Sequence, residues 1–222
     1  MRIFRPILAG ASFPARLIGC LGAALCIALT IIVCAQTPFR PADLPIIVAP
    51  LGASAVLIFA VPASPLAQPW PVIGGNVISA LVGVAAFKMI GNPALAAGIA
   101  VGLAILAMSL ARCLHPPGGA AALTAVIGSH EIHSVGYEFA FMPVGINSIA
   151  LVTLAVFFHR WSGHSYPHRA PAGLAAAPAG LHQADIDAAL ADMHENFDIS
   201  REDLDILLSQ AEQHASRRKN GP

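Results

Sequence analysis

Four stretches of this chain, Leu17–Gln36, Val72–Ile90, Ala94–Ala111 and Phe139–Phe158, are each apolar for about the length a helix needs to cross a hydrocarbon core. That feature excludes most soluble architectures. In lipid, every backbone donor and acceptor must be satisfied within the protein, so the stretches read as helices. Composition agrees. The chain is 56% hydrophobic and 11% charged, whereas a soluble domain carries about a quarter charged residues. Of its 12 acidic residues, only Asp43, Glu131 and Glu138 precede residue 184. The formal net charge of zero therefore combines an apolar, faintly basic body with an acidic tail. No basic patch with interleaved aromatics is present, which argues against a nucleic-acid partner.

Two further apolar runs cannot be regular helices. Leu44–Val61 is interrupted by Pro45 and Pro50, and His115–Gly128 opens Pro116-Pro117-Gly118-Gly119. Proline lacks the backbone donor and disfavours helix in the residue before it. It is well suited to a helix's first turn. The spacing predicts half-helices over about Gly52–Val61 and Pro117–Gly128, each roughly 15–18 Å long. Extended chain at Asp43–Leu51 and Cys113–Pro116 covers the remaining distance. The expected fold is an all-α membrane protein with about six crossings, two of them broken.

An internal repeat points the same way. Pro50-Leu-Gly-Ala-Ser-Ala-Val-Leu aligns with Pro117-Gly-Gly-Ala-Ala-Ala-Leu-Thr. After each comes a helix opening Pro-Val with an asparagine a turn later, Pro71…Asn76 and Pro143…Asn147. Each unit is helix, broken crossing, helix, so the second copy is inverted relative to the first, a design common among transporters.

With the N-terminus inside, Arg2, Arg5, Arg16, Arg112, Arg160 and Arg169 fall on the cytoplasmic side, and Arg40 and Lys88 outside. That is the positive-inside bias. Met1-Arg-Ile-Phe-Arg-Pro looks like a signal n-region, but no cleavage site follows, so the first run reads as a retained helix. Cys20, Cys26, Cys34 and Cys113 lack disulfide or metal spacing and read as small apolar side chains. Residues 161–183 read as a linker after a transmembrane domain spanning 1–160. Residues 184–216 read as a cytoplasmic helical hairpin, with a capping box at Ser200 and Asp203.

The segment Arg112-Cys-Leu-His-Pro-Pro-Gly-Gly-Ala-Ala-Ala-Leu resembles the signature of the HPP family of integral membrane proteins. Pro50-Leu-Gly-Ala-Ser-Ala, Ser64-Pro-Leu-Ala-Gln-Pro-Trp, Val72-Ile-Gly-Gly-Asn and Ser79-Ala-Leu-Val-Gly match the same family, over roughly residues 12–160. The tail Asp185–Ala211 looks like the segment that joins many bacterial members to paired CBS modules. Those modules are not in this sequence, which reads as a truncated or a natural short form. The resemblance implies a bacterial inner membrane and transport of a small inorganic anion such as nitrite.

The residues favour an anion by a separate route. Two half-helices would aim their positive ends, with free N–H groups, at the protein's centre. Pro50, Gly52, Ala53 and Ser54 form one such end, and Pro117, Gly118, Gly119, Ala120 and Thr124 the other. Gly52 and Gly119 are expected in equivalent places, each with its Cα facing the ion. No carboxylate falls in an expected membrane core, so nothing there binds a cation or relays protons as acidic residues do in pumps. His115 either bonds a carbonyl or faces the ion. Asn76 and Asn147 either line the path or bond between helices. Ser54 and Thr124 either face the ion or return bonds to their own backbone. Lys88 and Arg112 are candidate mouth residues, with snorkelling and anchoring as the alternatives. His130, His133, His159, His164 and His168 read as solvated loop histidines. No metal or other cofactor is expected. A homo-oligomer is expected from the Ala/Gly-rich faces and the helical tail.

Two other functions compete with transport. An intramembrane enzyme would use His115 and Arg112, but the chain offers no membrane Asp or Glu and no HExxH or GxSxG. A sensor or scaffold would need one or two plain helices, not broken ones.

Overall fold

A computed structural model describes residues 12–36, 45–169, 182–193 and 197–219. The described chain is helical, with no strand among the described residues. Two compact units divide at Pro167 and His168.

In the first unit, α1 (Phe13–Ala35), α3 (Pro69–Met89) and α4 (Pro93–Leu110) are long and apolar enough to cross a membrane. So is the continuous stretch Ala140–Ser162. It contains a kinked segment, Ala140–Gly145, followed by α7 (Ile146–Ser162). Between them lie two short apolar helices, α2 (Pro50–Ala60) and α5 (Pro116–Ile127), and a six-residue α6 (His130–Val135). Five of these helices (α1 to α5) open with proline in the first turn, the position where a missing donor costs nothing. Of the extended stretch expected ahead of α2, Asp43 and Leu44 lie outside the described residues.

The packing repeats. Exchanging α1 with α4, α2 with α5 and α3 with α7 maps one set of helix contacts onto another. The α1–α2 contact becomes α4–α5, α1–α7 becomes α4–α3, and α2–α7 becomes α5–α3. Details follow the same exchange. Asn147 on α7 bonds the Ile46 carbonyl at 2.9 Å and the Val48 N–H at 3.2 Å, on the chain leading into α2. Gly75, beside Asn76 on α3, lies against the Cys113 carbonyl and the His115 Cβ, on the chain leading into α5.

Small residues allow this closeness. A Cβ on Gly83 of α3 would collide with the Ala122 backbone of α5, and one on Gly19 of α1 with the Phe59 carbonyl of α2. The unit is apolar outside as well as in: Leu21, Val56, Leu110 and Phe157 are all more than half exposed. In a membrane that is the favoured surface, and polar groups collect inside instead.

The second unit contains α8 (Gln183–Met193) and α9 (Arg201–Lys219). Residues 194–196, where the first tail helix is expected to end, lie outside the described residues. At the start of α9 the Asp203 N–H donates to Ser200 Oγ at 3.1 Å, as the capping box requires. The Asp203 carboxylate also pairs with His168 Nε2 at 3.0 Å.

Candidate functional site

Most of the first-turn backbone donors of the half-helices are already taken or missing. In α2 the Leu51 and Gly52 N–H groups donate to the Val48 and Ala49 carbonyls at 3.0 and 2.9 Å. In α5 Pro116 and Pro117 carry no N–H, and Gly118 donates to the His115 carbonyl at 2.8 Å. What converges there is a set of side chains.

Ser54 of α2, Asn76 of α3, His115 at the start of α5 and Ser148 of α7 meet in one cluster, all at 0% exposure. His115 Nε2 lies 2.8 Å from Ser54 Oγ, and its Nδ1 lies 2.8 Å from the Leu66 carbonyl. Asn76 Nδ2 donates to Ser54 Oγ and to Ser148 Oγ, each at 3.2 Å. The Ser148 hydroxyl donates to the Val144 carbonyl at 2.8 Å.

These contacts assign the hydrogens, with one choice at Ser54, whose Oγ lies 2.8 Å from His115 Nε2 and 3.3 Å from the Pro50 carbonyl. A carbonyl can only accept, so Nδ1 of His115 carries the proton. In the neutral ring Nε2 is then an acceptor, and Ser54 serves it over the shorter of its two contacts, 2.8 Å against 3.3 Å to the Pro50 carbonyl. Ser54 Oγ and Ser148 Oγ are thereby left to accept from Asn76, which requires its amide nitrogen, not its oxygen, to face them. Two buried atoms remain unused: Asn76 Oδ1 and the hydroxyl of Ser79, three residues along the same helix. Ser79 Oγ lies beside Gly118, where an added Cβ would meet it at 2.7 Å.

The expected residues therefore divide. Ser54, Asn76 and His115 come together, Pro50 and Pro117 are buried beside them, and Gly118 adjoins Ser79. Gly52, Ala53 and Ala120 are exposed on the outer surface, and Thr124 is half-buried with its hydroxyl returned to the Ala120 carbonyl at 2.8 Å. A Cβ on Gly52 would meet nothing within 4 Å, and one on Gly119 only Val101 at 3.9 Å. Asn147 holds the chain ahead of α2 instead. Lys88 is exposed at the end of α3, with Nζ 5.5 Å from the Tyr137 ring, and Arg112 is exposed with φ 53° just after α4.

His159 departs from its expected place in a loop. It lies within α7, 2% exposed, because that helix runs on to Ser162. Its Nε2 lies 3.0 Å from the Ile58 carbonyl and its ring stacks on Phe59. His133 likewise belongs to α6; it stacks on Phe87 and reaches the Val126 carbonyl at 3.1 Å. Ser79, Ser148 and the Leu66 carbonyl are not among the expected residues. The two serines carry a readable signal, since each shares a helix face or a border with an asparagine in an otherwise apolar helix.

The profile of the HPP transmembrane region matches residues 9–167. This chain belongs to the HPP family. The HPP match takes in every residue of the buried cluster. Two transmembrane proteins of Dictyostelium discoideum are similar to this HPP protein. One is 37% identical over 131 residues, covering 57% of this chain and 46% of its own length. The other is 39% identical over 115 residues, covering 50% and 37%. The chain thus spans less than half the length of either relative. No solved structure matches it.

Among the described residues, no group of three or more His, Cys, Asp or Glu side chains could hold a metal ion. No carboxylate is buried in the first unit among those residues.

Proposed function

We propose that this HPP protein carries a small inorganic anion across the membrane, through the junction of α2 and α5. One observation carries the reading: four wholly buried polar side chains meet where two half-helices start, with no carboxylate buried among the described residues. Polar groups are expensive in a membrane interior and are concentrated where a solute passes. Both helix dipoles have their positive ends toward this junction, which favours negative charge there. The polar groups at the junction are side-chain hydroxyls, an amide and an imidazole, since the Leu51, Gly52 and Gly118 N–H groups are occupied. All are shielded at 0% exposure, so the described conformation is a closed one.

Nitrite is the anion that the family resemblance suggests. A membrane with the N-terminus on the cytoplasmic side suits the distribution of arginines. One feature favours an enzyme instead: Ser54 and His115 have the spacing of a nucleophile and its base. Their complete burial and the outward position of Arg112 favour transport. Nitrite uptake by proteoliposomes containing the purified chain, compared with protein-free vesicles, is the test. Equal uptake in the two would end the proposal.

A further inference from the structure

With His115 neutral, the cluster has almost nothing to offer an anion. Asn76 gives its two amide hydrogens to Ser54 and Ser148, Ser148 gives its own to Val144, and Ser54 gives its own to His115. The ring passes its single hydrogen to Leu66. Every donor in this relay is already committed to a protein acceptor. Only the Ser79 hydroxyl is unassigned, and Asn76 Oδ1 beside it repels negative charge.

A proton added at Nε2 reverses the Ser54 contact. Nε2 becomes a donor, Ser54 Oγ accepts from both the ring and Asn76, and the Ser54 hydrogen turns away from the ring, to the Pro50 carbonyl at 3.3 Å or to a bound anion. An anion at the cluster then gains a positive charge, together with a hydroxyl that no longer serves the ring. The imidazolium in turn needs an anion, because a buried charge without a partner is strongly disfavoured. Among the described residues, no charged side chain faces it. Around His115 lie Ser54 of α2, Gly75 of α3 and the Leu66 turn, with Asn76 behind Ser54 and Met108 of α4 beside Gly75. The nearest titratable neighbour in sequence is the buried thiol of Cys113, and Arg112 is exposed.

Resting on the reading of this cluster as the anion's station, we propose that the anion moves together with a proton carried on His115 Nε2. The proton comes from the same solution as the anion, sits on the ring while the anion is bound, and leaves with it on the far side. The ring returns to its neutral state and no bond of the anion is made or broken. The cargo is thus a monovalent anion plus a proton, electrically neutral in sum. By linkage, proton and anion raise each other's affinity by the same factor.

The test uses the full chain in proteoliposomes, with potassium and valinomycin clamping the membrane potential. Nitrite is added outside, its uptake is followed, and internal pH is read with a trapped dye. Protein-free vesicles supply the leak of the undissociated acid. Above that leak, one proton should enter with each nitrite, at a rate indifferent to the clamped potential. Nitrite uptake that is voltage-driven and leaves internal pH unchanged overturns the coupling while the anion path stands. No uptake above the leak overturns the path itself. His115→Gln keeps a hydrogen-bonding tip but cannot titrate, so its acidification should fall to the leak. A wild-type proton-to-nitrite ratio in that variant removes His115 as the carrier. The wild-type ratio and voltage dependence decide the coupling even when the variant does not fold.

Discussion

Ser54 Oγ and His115 Nε2 lie 2.8 Å apart although 61 positions separate them in the chain. The bond ties a position one turn into one half-helix to the start of the other. It is also the point where the direction of hydrogen donation through the cluster is set.

Removing either partner should therefore affect the other. Hydrogen bonds between membrane helices are worth about 0.6 kcal/mol on average and up to about 1.7. A double-mutant cycle of Ser54→Ala and His115→Ala, read by unfolding in mixed detergent, should give a coupling within that range. Strict additivity would mean that the bond does not form in the membrane.

The glycines should separate sharply. Gly118→Ala would place a methyl 2.7 Å from Ser79 Oγ and 2.9 Å from the Gly75 carbonyl, whereas Gly52→Ala meets nothing within 4 Å. Overpacking of this kind costs about 1–3 kcal/mol. Thermal unfolding of the purified variants should show Gly118→Ala clearly destabilised and Gly52→Ala close to the parent. The reverse order would contradict the placement of the two half-helices.

Topology can be probed at two exposed positions. On a cysteine-free background, Ser134→Cys should react with an impermeant thiol reagent from outside the cell, and His164→Cys only after the cytoplasmic face is opened. Labelling of both from one side would rule out the alternating order of crossings.

Anion size and charge provide another check. Hydroxyls, an amide and at most one protonated histidine offset little of the cost of dehydrating a divalent ion. Nitrite and chloride should therefore pass in preference to sulfate in parallel flux assays. Equal sulfate flux would mean that fixed charge, absent from the buried cluster, does the selecting.

The second unit has a pH dependence of its own. Burial pushes the Asp203 carboxyl up, but the Ser200 hydroxyl and His168 outweigh it and hold the group below its ordinary 3.8. A depressed carboxyl contributes stability above its unfolded value and loses it as pH falls through the folded value. Amide exchange in the first turn of α9 should thus accelerate on acidification below about pH 4. Asp203→Asn should flatten that response, and an unchanged profile would show that the cap does not depend on the carboxylate.

The helices themselves are legible in the sequence because proline is informative wherever it falls. Pro50 and Pro116 mark both half-helices to within two residues. Their rotation about their own axes is not legible. In α2 the buried residues are Pro50, Leu51, Ser54, Ala55, Ile58 and Phe59, while Val56 faces out at 61%. Apolar side chains occupy both faces, so hydrophobicity cannot say which face is inward. The one polar residue can, and Ser54 points to the face that Gly52 lacks. The same holds for α5, where Gly118 and not Gly119 faces inward. The kink ahead of α7 is hidden for a different reason: Pro143 reads as a helix start, whereas Met142, with φ −136° and ψ 114°, interrupts a longer apolar stretch.

The segments that lead into the half-helices are held by different kinds of contact. Asn147 grips the carbonyl of Ile46 and the N–H of Val48, groups that every residue other than proline possesses. His115, at the corresponding place before α5, is gripped through its own ring. Evolutionary drift must therefore act unequally on the two arms. Positions 46 and 48 can exchange one apolar side chain for another without loosening their clamp, while position 115 loses its contacts with almost any replacement. In related chains, residues before the first half-helix should vary freely around a retained Asn147, and the histidine before the second should stay.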